Sequence, residues 1–284
     1  MKFDRSITEL IKKRHSVRNY TDKPVTSDQQ HQLGEFITTL DNPFGQSVKF
    51  HLLDRTVNSE AQKLGTYGVI QGCQHFVGAT VGREGLSLEA LGFEFETVLL
   101  YLTSLGLGTC WLGGTFNRQG FAGAMDVAPD ELFPIISPYG YGSNKLHLKE
   151  KALRALARSD SRKDATELFF QDDFKTPLTL EKSGSWTVPL EMVRLGPSAS
   201  NKQPWRVLLL EDTLHFYEYK SPGYSTAFAY DIQRIDMGIA AAHFYLTAQE
   251  LQLSGHFEHC PPDVASPSNF IYEFSWIPDT ANSS

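Results

Sequence analysis

"GFEFETVLLYLTSLGLG" (92–108) and "GIAAAHFYLTAQELQLSG" (238–255) share their first glycine and several leucine positions. The offset, 238 − 92 = 146, is close to half of the 284 residues. The first belongs to a stretch, 87–108, that reads as a helix apolar nearly all round and closing at a glycine-rich C-terminus. The second belongs to 236–257, another long helix running into a strand. A weak repeat at half the chain length points to two related lobes fused in tandem, 1–158 and 159–284. Chance alignment of two apolar helices is the competing explanation.

The flanking sequence fills in an α+β plan. "SITELIKKR" (6–14) has Ile7, Leu10 and Ile11 on one stripe of an amphipathic helix. A second helix is expected from Ser27, as N-cap, to about Leu40. "SVKFHLLD" (47–54), "HFVGATV" (75–81) and "LFPIISPYGYG" (132–142) read as strands, giving an antiparallel or mixed sheet. In the second half "PWRVLLLED" (204–212) and "LHFYEY" (214–219) do the same. "RSDSRKDATELFFQDDFKTP" (158–177) reads as a charged connection, and "PDTANSS" (278–284) as a frayed tail.

Composition narrows the function classes. Hydrophobic residues make up 41% and charged residues 21%, an ordinary globular balance. A net charge of -7 argues against a general nucleic-acid binder, which needs a basic surface. Positive charge is nevertheless concentrated in "KKRHSVR" (12–18) and in 145–163, which suits a small anionic ligand. No apolar run reaches membrane-spanning length, and three unpaired cysteines, Cys73, Cys110 and Cys260, fit reduced thiols in the cytoplasm.

Several familiar chemistries lack support. "HFEHC" (256–260) falls in an expected strand, where positions i and i+3 face opposite sides, so no metal site is assigned there. "GLGTCW" (106–111) follows a helix and lacks the last glycine of a dinucleotide fingerprint. "YGYGSNK" is no phosphate loop, and no nucleophile elbow occurs. Two stretches carry more specific polar chemistry. "RHSVRNY" (14–20) brackets a His-Ser pair with two arginines, whose forked donors suit phosphate or a polarised carbonyl. "GPSASNKQPW" (196–205) is too long and too polar for a plain connecting turn.

Together these stretches resemble the FMN-dependent nitroreductase-like family: "RHSVRNYTDKPV" its N-terminal motif, "GPSASNKQPWRV" its second, and "GLGTCWLGG" (106–114) its third. The resemblance covers most of the chain, apart from the last thirty residues. One departure is informative. Ordinary members place the polar motif a few tens of residues after the basic one, where this chain has only "NPFGQSVKF" (42–50). The polar motif instead lies in the second half, which has no basic motif of its own. The resemblance therefore implies the fused, single-chain variety: an internal pseudo-dimer, monomeric in solution, in which each lobe keeps one part of a single flavin site.

By that resemblance FMN is tightly bound. Arg14, Ser16 and Arg18 would contact it, with His15 acting through its backbone. Pro197, Ser198, Ala199, Ser200 and Asn201 would line the ring and ribityl chain. Backbone N–H groups of Trp111, Leu112, Gly113 and Gly114 would approach the ring, and Arg162 and Lys163 would hold the phosphate, with Arg154 and Arg158 as alternatives. Gln203 and Trp205 read equally well as a turn anchor and a core aromatic. The implied activity is NAD(P)H-dependent reduction of nitroaromatic or quinone acceptors by ping-pong hydride transfer, with no catalytic side chain assigned. A flavin carrier or sensor without turnover is the alternative.

Overall fold

The computed structural model describes residues 3–56, 64–143, 161–224, 226 and 228–279. It divides into two compact units, Met1–Ser159 and Asp160–Ser284.

In the first unit, helices α1 (Ile7–Lys13) and α2 (Ser27–Thr38) precede strands β1 (Val48–Asp54) and β2 (His75–Val81). The long helix α3 (Ser87–Ser104), the short strand β3 (Gly108–Thr109), helix α4 (Arg118–Ala124) and strand β4 (Leu132–Gly140) follow. The sheet is antiparallel, in the order β1-β2-β4-β3. Every residue of β2 and β4 is buried, so both faces of the sheet are covered. Phe76, Phe121, Met125 and Phe133 form part of one cluster, and α3 packs against β1, β2 and β3. The N-cap of α2 is Thr26, one residue before the expected Ser27. Its hydroxyl accepts from Gln29 N while the Gln29 side chain accepts from Thr26 N, which satisfies two otherwise orphaned donors.

The second unit contains α5 (Ala165–Leu168), β5 (Phe169–Gln171), α6 (Thr187–Leu195), β6 (Trp205–Leu210) and β7 (Thr213–Tyr219). It continues through α7 (Ile232–Glu250), β8 (Gly255–Glu258) and β9 (Phe270–Pro278). The sheet order is β5-β6-β7-β9-β8, with β5 parallel to β6 and the other pairs antiparallel. One stretch corrects the sequence reading, and one strand was not anticipated. The charged stretch taken as a connection contains α5 and β5, because Phe169 pairs with Val207 and is fully buried. The last thirty residues supply β9, whose Phe274 and Trp276 join an aromatic core with Phe216, Phe244 and Phe257.

Leaving β5 aside, each unit runs strand, strand, long helix, strand, strand, and each sheet has the order first, second, fourth, third. The ends of the two long helices match as well. Leu107 N donates to Leu102 O across Gly106, whose φ is +78°, and Leu253 N donates to Ala248 O across Gln252, whose φ is 59°. Both are Schellman closures, offset by 252 − 106 = 146 residues. The repeat in the sequence is therefore a repeat of structure. Both helices are buried over nearly their whole length. Among the described residues no helix is long and apolar enough to cross a membrane.

Candidate functional site

The basic segment leaves α1 as extended chain rather than as the last turn of the helix, for Arg14 is already at φ −62°, ψ 126°. It is then stitched into the unit by its backbone. Val17 N donates to Thr109 O, Gln71 N to Arg18 O, Tyr20 N to Gln71 O and Ser143 N to Asn19 O. This close docking depends on glycine. A Cβ at Gly108 would come within 2.6 Å of Val17 Cγ2, so a larger residue there would push the segment off β3.

The segment forms one wall of a cleft of about 410 Å³. Lys13, Arg14, His15, Arg18 and Asn19 contribute from the segment, and Gly106, Leu107, Gly108 and Thr109 from the end of α3 and β3. Three polar atoms in this wall, Arg14 Nη1, Arg18 Nη1 and Thr109 Oγ1, are buried without a hydrogen-bond partner. Buried donors left this way are costly unless a ligand or water meets them. Arg14 is held from behind, its Nε lying 3.2 Å from Glu96 Oε1 on α3. Glu96 Oε2 also accepts from Trp111 Nε1 at 2.6 Å. His15 is exposed and its Nδ1 lies 3.1 Å from Lys13 O, while Ser16 bridges to Thr109.

The third motif is displaced from its expected place. Gly106–Thr109, and not residues 111–114, line the cleft. Leu112 N donates to Ile136 O and Ile136 N to Leu112 O, so this N–H is spent in sheet pairing. The Trp111 side chain is committed to Glu96. Gly113 O accepts from Arg118 Nη2 at 2.5 Å, and Gly114 is exposed.

In the second unit the polar stretch forms a tight loop between α6 and β6. Ser200, Asn201 and Gln203 all have positive φ, at 49°, 54° and 50°. Such conformations cost energy for residues with a side chain, and the loop is over-determined to hold them. Asp236, on α7, accepts from Ala199 N at 3.0 Å. Gln203 N donates to Ser198 Oγ at 2.8 Å, and Gln203 Nε2 donates to Asn201 O at 3.2 Å. Gln203 is thus the turn anchor and Trp205, with no exposed surface, the core aromatic. Burial pushes the Asp236 carboxyl well above the usual carboxylate range, against the opposing effect of the Ala199 N–H.

Arg162 and Lys163 meet this loop. Arg162 Nη1 lies 3.5 Å from Asn201 Oδ1, Arg162 Nε and Nη2 donate to Leu195 O, and Asn201 Nδ2 donates to Ser161 O. Lys163 N donates to Gln203 Oε1 at 2.8 Å. Burial, with Arg206 and Lys202 nearby, lowers the Lys163 pKa, as expected for crowded cations that an anion would relieve. Arg154 and Arg158 lie outside the described residues. Among the described residues no cluster of three or more His, Cys, Asp or Glu could hold a metal.

Sequence reasoning missed the supports. Glu96, Thr109 and Asp236 each act on a motif from a distant element. The one available signal was the presence of Glu89, Glu94 and Glu96 in a helix otherwise apolar all round. Buried carboxylates need partners.

Comparison with known proteins agrees with this architecture. The profile of the family described as "Putative TM nitroreductase" matches residues 6–248. A crystal structure from Thermotoga maritima, described as a "putative nitroreductase", superposes with a TM-score of 0.61 at 20% identity, covering 98% of this chain and 95% of its own. That full-length match establishes an α+β nitroreductase-like fold. A nitroreductase with bound FMN from Bacteroides fragilis matches over 51% of this chain and 93% of its own, at 19% identity and a TM-score of 0.42. No curated protein matches the sequence.

Proposed function

Because the chain belongs to the family described as "Putative TM nitroreductase", we propose that it is an FMN-dependent NAD(P)H oxidoreductase. The observation that carries this reading is the cleft. Its wall is the family's basic motif, and it holds Arg14 Nη1, Arg18 Nη1 and Thr109 Oγ1 buried without partners. Two guanidinium donors and a hydroxyl fit a planar, polar, anionic group such as FMN. Lys13 adds positive charge to the same cleft. When bound, FMN supplies hydride transfer from NAD(P)H to an acceptor, here a nitroaromatic or a quinone taken up in turn.

The chain's own residues bind and orient. Arg14 and Arg18 are the forked donors of the first unit. In the second, Arg162 and Lys163, beside the fixed turn of Pro197, Ser198, Ala199, Ser200 and Asn201, are the candidate phosphate ligands. Each unit carries one part of the motif inventory, so we propose one flavin per chain and a monomer that needs no second copy. Titrating FMN into the apo-protein with fluorescence quenching tests the reading. One equivalent should bind, and Arg18→Ala should weaken binding roughly ten- to hundredfold, as the loss of a charge-assisted bond implies. Binding of two equivalents, or an Arg18→Ala variant equal to the parent, would contradict it. NAD(P)H should bleach the bound flavin under argon.

A further inference from the structure

Glu96 sits midway along an apolar helix with no exposed side-chain surface. A carboxylate there is costly to desolvate and persists only when well paired. Its partners are specific. One oxygen faces Arg14 Nε at 3.2 Å and the other accepts from Trp111 Nε1 at 2.6 Å. Arg14 therefore reaches the cleft wall with its Nε engaged and with Nη1 buried and unpartnered. Trp111 holds the second oxygen, so Glu96 is anchored by a group other than the arginine.

We propose that Glu96 is a positioning residue for the cleft, which fixes the Arg14 fork through Nε and offsets its charge, and so sets how strongly the cleft favours a reduced over an oxidised flavin. The inference rests on the FMN reading above. The physical argument has two parts. A guanidinium tied at one nitrogen loses little further freedom when its terminal nitrogens meet a ligand. A carboxylate within a few ångströms also cancels part of the cation's field, and that field is stronger in a partly desolvated cleft than in water. Reduced flavin carries more negative charge than oxidised flavin. Removing the Glu96 charge should then favour the reduced form. A merely structural tie between the basic segment and α3 would change stability alone.

The test compares the parent, Glu96→Gln and Glu96→Asp, each checked for a native circular dichroism spectrum. FMN affinity is measured by fluorescence quenching, and the midpoint potential by equilibration with a reference dye. Glu96→Gln should raise the preference for reduced over oxidised FMN about tenfold, which for a two-electron couple is ~30 mV more positive. Glu96→Asp keeps the charge but withdraws it by one methylene, and it should weaken FMN binding several-fold while leaving the potential close to the parent's. A Glu96→Gln potential equal to or below the parent's overturns the proposal. If Glu96→Gln does not fold, a Glu96→Asp variant with parental FMN affinity overturns it instead. A parent that binds no FMN defeats the proposed function itself, and this inference with it. A parent that binds FMN beside unchanged variants defeats the inference alone.

Discussion

Residues 42–47 lead into β1 as residues 196–204 lead into β6, and the long helix fixes the two loops at different points. In the first, Asn42 turns inward. Its Nδ2 donates to Glu94 Oε1 on α3 at 2.6 Å and to Gln46 O at 2.8 Å, while its Oδ1 accepts from Phe44 N. The loop's amide is consumed by the fold. In the second, the long helix supplies Asp236, which grips the backbone at Ala199 and leaves Ser200 exposed. Both loops rest on a buried helix carboxylate, but only the second holds positive φ at Ser200, Asn201 and Gln203, with Ser198 Oγ accepting from Gln203 N and Ser200 Oγ from Tyr224 OH. The basic residues differ as well, since Arg14 of the first unit is clamped by a carboxylate, whereas Arg162 of the second is held by Leu195 O. A duplicated plan has thus been specialised by a few buried contacts, without any change of sheet order.

Removing the arginine clamp should have the largest effect. Arg14→Ala leaves Glu96 buried without its cation, which typically costs about 3–5 kcal/mol. In thermal unfolding this should appear as a fall in Tm of roughly 10 °C. A loss below about 1 kcal/mol would mean that the pair is solvated and that the first unit is not organised around it.

The next effect concerns the inward loop and depends on pH. Burial raises the Glu94 carboxyl from 4.5 to about 7; its bond from Asn42 opposes this and Asp41 adds to it. The folded pKa lies above the unfolded one. The group's stabilising contribution is therefore complete below about pH 4.5 and is lost as pH rises to about 7. The loss is on the order of 3 kcal/mol. Glu94→Gln removes the titration. Chemical denaturation at pH 5 and pH 7.5 should show the parent losing that much relative to the variant between the two values. An equal difference at both would refute the assignment.

The smallest effect lies in the outward loop. Asn201→Ala removes the bond to Ser161 O and the contact with Arg162, and about 1 kcal/mol is expected. Hydrogen exchange should speed up across 196–204 and stay unchanged in the first unit. Spread of the change into β6 would show that the loop is part of the core rather than mounted on it.

Much of this protein was legible in its sequence because the signals were local. Apolar periodicity located α3 and α7, the 146-residue offset marked two related lobes, and "HFVGATV" read directly as β2. The density of polar and glycine residues marked both motifs, and resemblance singled out Arg162 and Lys163 as phosphate ligands without saying what they lie beside. The tertiary structure decided what local pattern cannot encode. Whether Leu112 N–H was available depended on Ile136, and which end of "GLGTCWLGG" met the cleft depended on the docking of Val17 against Gly108. Glu96 and Asp236 find their partners, Arg14, Trp111 and Ala199, only on distant elements. A buried carboxylate states that a partner must exist, since desolvation would otherwise expel it. Only the folded chain says which one.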